Sequence, residues 1–262
     1  MANTITELTS FRFHQEHSCC CFHRHHLRHF DHHHIDLVYN GVPPLKVSHQ
    51  AEIDSRRMLM QYAQSVIGEV DAQPFTPDVL MTHVTRPVVS KGIWRDLQVC
   101  HELDSRFAAA GRQGALFILT SAGGTRRPQD VLSMEAEYGW PRTHREGYPD
   151  LCGPEVEINR MVETFNSTHR NIQAVLVNQF DWREDLIGRR CPAGMTFADF
   201  RRATDVEFGL ATYEPFGISP LEPLGSGAIF HIPSRSTRKN AVYCPGPVRR
   251  KFSRTITAAQ PS

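Results

Sequence analysis

The sequence predicts an α/β protein: a Rossmann-like parallel sheet with helices on both faces and disordered ends. Three observations predict it. Short apolar runs alternate along the chain with polar segments whose apolar residues recur at helical spacing, the order expected of strand, helix, strand. Two of the runs, "GALFILTSAGG" at 114–124 and "IQAVLVNQF" at 172–180, are almost continuously apolar, as in strands covered on both faces. The composition is ordinary only between about 35 and 232, which confines the fold to that stretch.

The elements follow in order. "IDLVYNGVPP" (35–44) is a short apolar run stopped by Asn40-Gly41 and two prolines, the way a strand ends in a turn. In "AEIDSRRMLMQYAQSVIG" (51–68), Ile53, Met58, Leu59, Tyr62, Ala63 and Val66 fall near helical spacing, so an amphipathic helix is expected. "PDVLMTHVTRP" (77–87) reads as a strand ending at Pro87, and "GIWRDLQVCHELDSRFAAAGR" (92–112) as a helix stopped at Gly111. After the buried strand at 114–124, "TSAGGTRRPQD" (120–130) holds glycines and an Arg pair but no G-x-G-x-x-G, so an ordinary loop is expected. "PEVEINRMVETFNSTH" (154–169) is helical and the run at 172–180 is the next strand. Asp181, Arg183 and Glu184 follow it, either lining a crevice or forming a plain charged loop. "TFADFRRA" is a short helix, "TDVEFGLAT" (204–212) a strand, "SPLEPLGSG" a helix start and "GAIFHIP" a last strand.

The ends differ from this pattern. Residues 1–34 hold nine of the fifteen histidines together with consecutive Cys19, Cys20 and Cys21, and offer few periodic apolar positions. A zinc site there fits poorly with the C-x₂₋₄-C spacing of structural sites. Residues 233–262 carry seven Arg or Lys and no acid, with interspersed proline and serine. Both ends are expected to be poorly ordered. Seven cysteines without a spaced framework argue for reduced thiols, and the absence of a long apolar run leads to the expectation of a cytoplasmic protein with no membrane span. A net charge of +1 gives no electrostatic reason to expect nucleic acid as partner.

Ligands of parallel sheets sit beyond the carboxyl ends of the strands, so chemistry is sought there. "YEPFGISPLEPLGSG" (213–227) sets Glu214 directly after a strand, with Gly217 able to admit a close ligand and Ser219-Pro220 suited to the start of a helix. Amides at that helix start favour an anion by about 0.3–1 kcal/mol, which helps to hold a phosphate but needs further positive charge. "THVTRPVVSKG" provides it: Arg86 and Lys91 stand at the end of another strand, where two cations neutralise a diphosphate.

This combination resembles the C-terminal nucleotide-sugar-binding domain of retaining GT-B glycosyltransferases of the glycogen-synthase and sucrose-synthase type. "YEPFGISPLE" is similar to the family's Glu-x7-Glu motif, here Glu214 to Glu222, and "RPVVSKG" to its Arg-x4-Lys-Gly pattern. The resemblance covers roughly 35–232. It implies that Arg86 and Lys91 grip the donor diphosphate, that Glu214 lies by the donor sugar, and that Glu222 accepts hydrogen bonds from ribose hydroxyls. Phe216, Gly217, Ile218, Ser219 and Leu221 would line the donor, with amides addressing sugar and phosphate. A nucleotide-diphosphate sugar as substrate, no obligatory metal or cofactor, and a carbohydrate or other hydroxyl acceptor are likewise implied. The family's N-terminal Rossmann-like domain, which carries the acceptor site, has no counterpart in residues 1–34, and the family continues beyond "GAIFHIP" where this chain turns basic. The expectation is therefore a fragment of a GT-B fold, complemented by a separate N-terminal domain. A non-catalytic or degenerate sugar-nucleotide-binding module and a Cys/His-rich metal-binding or interaction protein are the alternatives.

Overall fold

In a computed structural model the described residues are 47–68, 74–212, 222–223 and 226–231. The predicted strand at 35–44, the Cys/His-rich head and the basic tail lie outside them. Five parallel strands form one sheet: β1 (Val79–Val84), β2 (Gly114–Leu119), β3 (Ile172–Val177), β4 (Val206–Phe208) and β5 (Ile229–His231). Their order is β3-β2-β1-β4-β5. The chain thus steps outward from β1 to β3 and then returns to the other side of β1, which makes the β1/β4 boundary the topological switch point of the sheet.

Among the described residues the sheet is covered by the α-helices α1 (His49–Ala63), α2 (Ile93–Ala109), α3 (Pro128–Tyr138), α4 (Pro154–Thr168), α5 (Glu184–Ile187) and α6 (Phe197–Ala203). Alternation along the strands divides the core in two. Leu80, Ala115, Phe117, Leu119, Val175 and Val177 meet α1, α3, α5 and α6, while Met81, Leu116, Ile118, Ala174 and Leu176 meet α2 and α4. All six residues of β2 and of β3 are buried, as their unbroken apolar runs require. On the first face, Trp182 stacks on Phe200 at 4.3 Å and meets Tyr62 edge-on at 5.0 Å, fastening the chain after β3 to α6 and α1.

Local chemistry explains most element ends. Ser48 caps α1 by accepting from the Ala51 amide at 3.1 Å, and a single π-helical turn, Gln64–Gly68, makes up the last part of the helix predicted over 51–68. In α6, Thr196 and Asp199 form a capping box. Helices α3 and α4 each begin with proline, which loses nothing at a position whose N–H has no intrahelical partner. The helix α3 was not anticipated: its start falls within the segment expected to be loop. Of the predicted helix start in 219–227, residues 222–223 are helical and its beginning lies outside the described residues.

Candidate functional site at the switch point

At the carboxyl end of β1 the chain turns through Arg86 and Pro87 into a short 3₁₀ turn, Val89–Lys91, before α2. Arg86 is exposed and Lys91 half-buried. This loop is fastened to the exit of the neighbouring β4: the Thr212 amide donates to Ser90 O at 2.7 Å, and Arg95 Nη1 donates to Leu210 O at 2.9 Å. Gly92 makes the approach possible. Its φ is 76°, in the left-handed region, and a Cβ there would stand 2.3 Å from Leu210 O. Two cations on the β1–α2 loop and the chain leaving β4 therefore share one edge of the sheet.

Behind the loop, His83 Nδ1 and Asp96 Oδ2 are 2.5 Å apart, with side chains only 4% and 0% exposed. Asp96 lies in the first turn of α2, where the helix dipole favours a carboxylate. The pair ties the end of β1 to the start of α2 and so fixes the base of the loop that carries Arg86 and Lys91. Nothing in the sequence marked it, because thirteen residues separate partners that only the β1–α2 crossover brings together.

On the other face, Glu222 faces inward across α6. Its Oε2 accepts from Arg201 Nη2 at 3.0 Å, and Arg201 Nη1 stands 2.9 Å from Glu207 Oε1 in β4. One buried guanidinium thus serves two carboxylates, of which Glu207 is 1% exposed and Glu222 36%. Burial pushes the Glu207 carboxyl up to about 8; the nearby Glu222 adds to the rise, and Arg201 and Thr82 oppose it. Glu214, Phe216, Gly217, Ile218, Ser219 and Leu221 lie outside the described residues.

The predicted "TSAGGTRRPQD" loop holds a buried ionic cluster. Arg126, 3% exposed, donates to Ser121 Oγ and to the carbonyls of Gly124, Asn178, Pro149 and Asp150, and pairs with Glu155 at 2.5 Å. Glu155 also accepts from the amides of Ala122 and Cys152. His144 and Asn178 both bond Asp150 Oδ1, at 2.8 and 3.0 Å. Desolvation raises the Asp150 carboxyl, but these hydrogen bonds outweigh it and leave it below its usual range. The cluster fixes the loops after β2 and β3, away from the switch point. Of the charged residues after β3, Arg183 and Glu184 line an open concavity of about 550 Å³ with Leu132, Arg189 and Met195. Arg183 pairs there with Asp185 at 3.0 Å.

Among the described residues no group of three or more His, Cys, Asp or Glu is placed to hold a metal ion, and no helix is long and apolar enough to cross a membrane. Cys100, Cys152 and Cys191 are free thiols.

No family model matches the chain, and no curated protein matches it in sequence. Solved structures do match at low similarity. A catalytic domain of starch synthase IV from Arabidopsis thaliana, bound to ADP and acarbose, is 15% identical with a TM-score of 0.41, over 80% of this chain and 34% of that one. An α,α-trehalose-phosphate synthase (UDP-forming) from Burkholderia vietnamiensis is 14% identical with a TM-score of 0.41, over 86% and 46%. A trehalose-6-phosphate structure from E. coli with UDP-2-fluoro glucose is 10% identical with a TM-score of 0.37, over 60% and 30%. The chain spans less than half the length of each.

Proposed function

We propose that this chain is the donor-binding part of a glycosyltransferase, a retaining hexosyltransferase that uses a nucleotide-diphosphate sugar. One observation carries the reading. The loop bearing Arg86 and Lys91 and the chain that leads from β4 into Glu214 and Glu222 are far apart in sequence, yet hydrogen bonds join them at the switch point, where open α/β sheets take their ligands.

In this reading the donor diphosphate lies over the β1–α2 loop, between Arg86 and Lys91. The bond from the anomeric carbon to the diphosphate oxygen breaks and its electron pair passes to that oxygen, whose growing charge the two cations stabilise. The acceptor hydroxyl oxygen forms the new bond on the same face, and its proton goes to the departing diphosphate. Glu214 addresses the donor sugar and Glu222 the ribose hydroxyls. The residues from Phe216 to Leu221 contribute backbone amides and a close-fitting wall. The nucleotide sugar is the substrate, and no metal or cofactor has a step in this scheme. The acceptor is a carbohydrate or another hydroxyl compound held on the opposite wall of the cleft by a complementing domain, since positioning of the two reactants supplies several kcal/mol of catalysis.

Titration of the purified chain with UDP-glucose and ADP-glucose tests this. Saturable binding is expected. It should weaken roughly ten- to a hundredfold in Arg86→Ala and in Glu222→Ala, the usual loss when a hydrogen bond to a charged group is removed. Failure of the wild-type chain to bind either sugar nucleotide would sink the reading. Binding without transfer or hydrolysis of labelled sugar would instead identify a non-catalytic module.

A further inference from the structure

The cluster of Arg201, Glu207 and Glu222 has a feature that the donor reading does not use. Arg201 lies on α6 with 6% of its side chain exposed, its guanidinium 5.1 Å from the centre of the Phe197 ring. One of its terminal nitrogens meets Glu222 and the other meets Glu207. Glu207 Oε2, Thr82 Oγ1 on the adjoining strand and the Arg201 Nη1 that faces Glu207 are all buried, and Thr82 pairs with Glu207 in register. Two carboxylates and one cation carry one negative charge too many for a buried site, so the arrangement is balanced only when one carboxyl holds a proton. Glu207 is the more enclosed of the two, and holding the proton there leaves Glu222 ionised, partly exposed and paired.

We propose that Arg201 is a positioning residue for Glu222 and that the protonation of Glu207 governs its hold: with Glu207 neutral, the guanidinium orients the Glu222 carboxylate toward donor hydroxyls, and with Glu207 ionised it is shared and Glu222 is repelled. The inference rests on the donor-binding reading of Glu222. Among the described residues, the charged and polar groups acting on Glu207 are Arg201 from α6, Thr82 from β1 and Glu222 from the segment after β4. Arg202 and Asp199, on the same helix, are instead occupied with each other and with Ser55 of α1.

The consequence is a loss of donor affinity on the alkaline side. With burial holding the Glu207 carboxyl up at about 8, the binding-competent fraction falls on the order of tenfold between pH 7 and pH 9, and the apparent affinity falls with it. Two measurements on the full chain test it. First, ADP-glucose binding is titrated at pH 7 and pH 9 in wild type, Glu207→Gln and Arg201→Lys; no group of this ligand changes charge in that interval. The wild-type affinity is expected to drop about tenfold, and the Glu207→Gln ratio to stay near one, because glutamine copies the neutral form. Arg201→Lys should bind weakly at both values, since an ammonium cannot serve two carboxylates as a planar fork does. Second, carbon NMR of side-chain-labelled glutamates without ligand should show the Glu222 carboxyl signal moving as Glu207 titrates, and staying still in Glu207→Gln. An equal alkaline loss in wild type and Glu207→Gln, or an unmoved Glu222 signal, overturns the inference and leaves the donor reading intact. No binding at pH 7, with the coupled NMR titration present, overturns the donor reading alone.

Discussion

Arg126 shows how far the role of a residue can lie from its appearance in sequence. In "AGGTRRPQD" it is one of an arginine pair, and either residue looks equally suited to a solvated loop. The fold separates them: Arg127 is exposed and pairs with Asp130, whereas Arg126 is enclosed by the loops after β2 and β3. Its partners at Asp150, Glu155 and Asn178 come from three later segments, so no local pattern announces them. Removing one member of such a pair strands the other without solvent or counter-charge. Arg126→Met is therefore expected to destabilise the chain by about 3–5 kcal/mol, measured by urea denaturation, because Glu155 stays buried. The double variant Arg126→Met, Glu155→Leu should recover much of the loss. Recovery of none of it would mean that the carbonyl contacts of Arg126, not its ion pair, hold the loops.

At the scale of elements, legibility followed burial. The strands β2 and β3 are legible in 114–124 and 172–180 because strands covered on both faces have no polar alternation to obscure them. Helix α3 was missed for the opposite reason: its inward face includes Glu135, whose carboxylate accepts from the Arg189 and Arg190 amides, so a polar residue occupies a core-facing position. The four-residue α5 is too short to carry a period. Arg86, Lys91 and Glu222 stand out in the sequence only through the motifs that carry the resemblance, while the His83–Asp96 brace and the Arg201 fork leave no sequence signal, since both depend on register between separate elements. The β1–α2 connection also gives an element-scale expectation at Gly92. Any side chain there meets a left-handed φ and a carbonyl oxygen at 2.3 Å. Left-handed backbone alone costs roughly 1–2 kcal/mol for other residues, and relief of the overlap must push the loop off β4. Gly92→Ala is expected to lower the thermal midpoint and, in the same preparation, to weaken sugar-nucleotide binding more than an equally destabilising core change such as Ile158→Val. Equal binding by the two variants would detach the loop from the donor site.

At the scale of the molecule, three buried or half-buried carboxyls among the described residues contribute to how stability varies with pH. Asp199 is raised by burial, but the Thr196, Arg202 and Ser55 hydrogen bonds dominate and set it at about 2, below the 3.8 of a free aspartate. Asp150 is shifted in the same direction. The unfolded chain therefore binds protons more readily than the folded one as pH falls below about 4, and the stability these groups contribute is lost toward pH 2. Glu207 acts in reverse. Burial pushes its folded carboxyl up to about 8 from the 4.5 of a free glutamate, so the folded state holds a proton that the unfolded state releases. Its contribution is present in full below about 4.5 and is lost as pH rises through 8. Stability is thus expected to decline on both sides, acid from the aspartates and mildly alkaline from one glutamate that faces an arginine already shared with Glu222. Urea midpoints measured from pH 3 to pH 9 should show Asp199→Asn with a lower plateau and a shallower acid limb. Glu207→Gln should flatten the decline between pH 5 and pH 8 and leave the acid limb as it is. If Glu207→Gln retains the wild-type decline there, the proton lost on unfolding belongs to another group, and the charge balance assigned to the Arg201 fork fails with it.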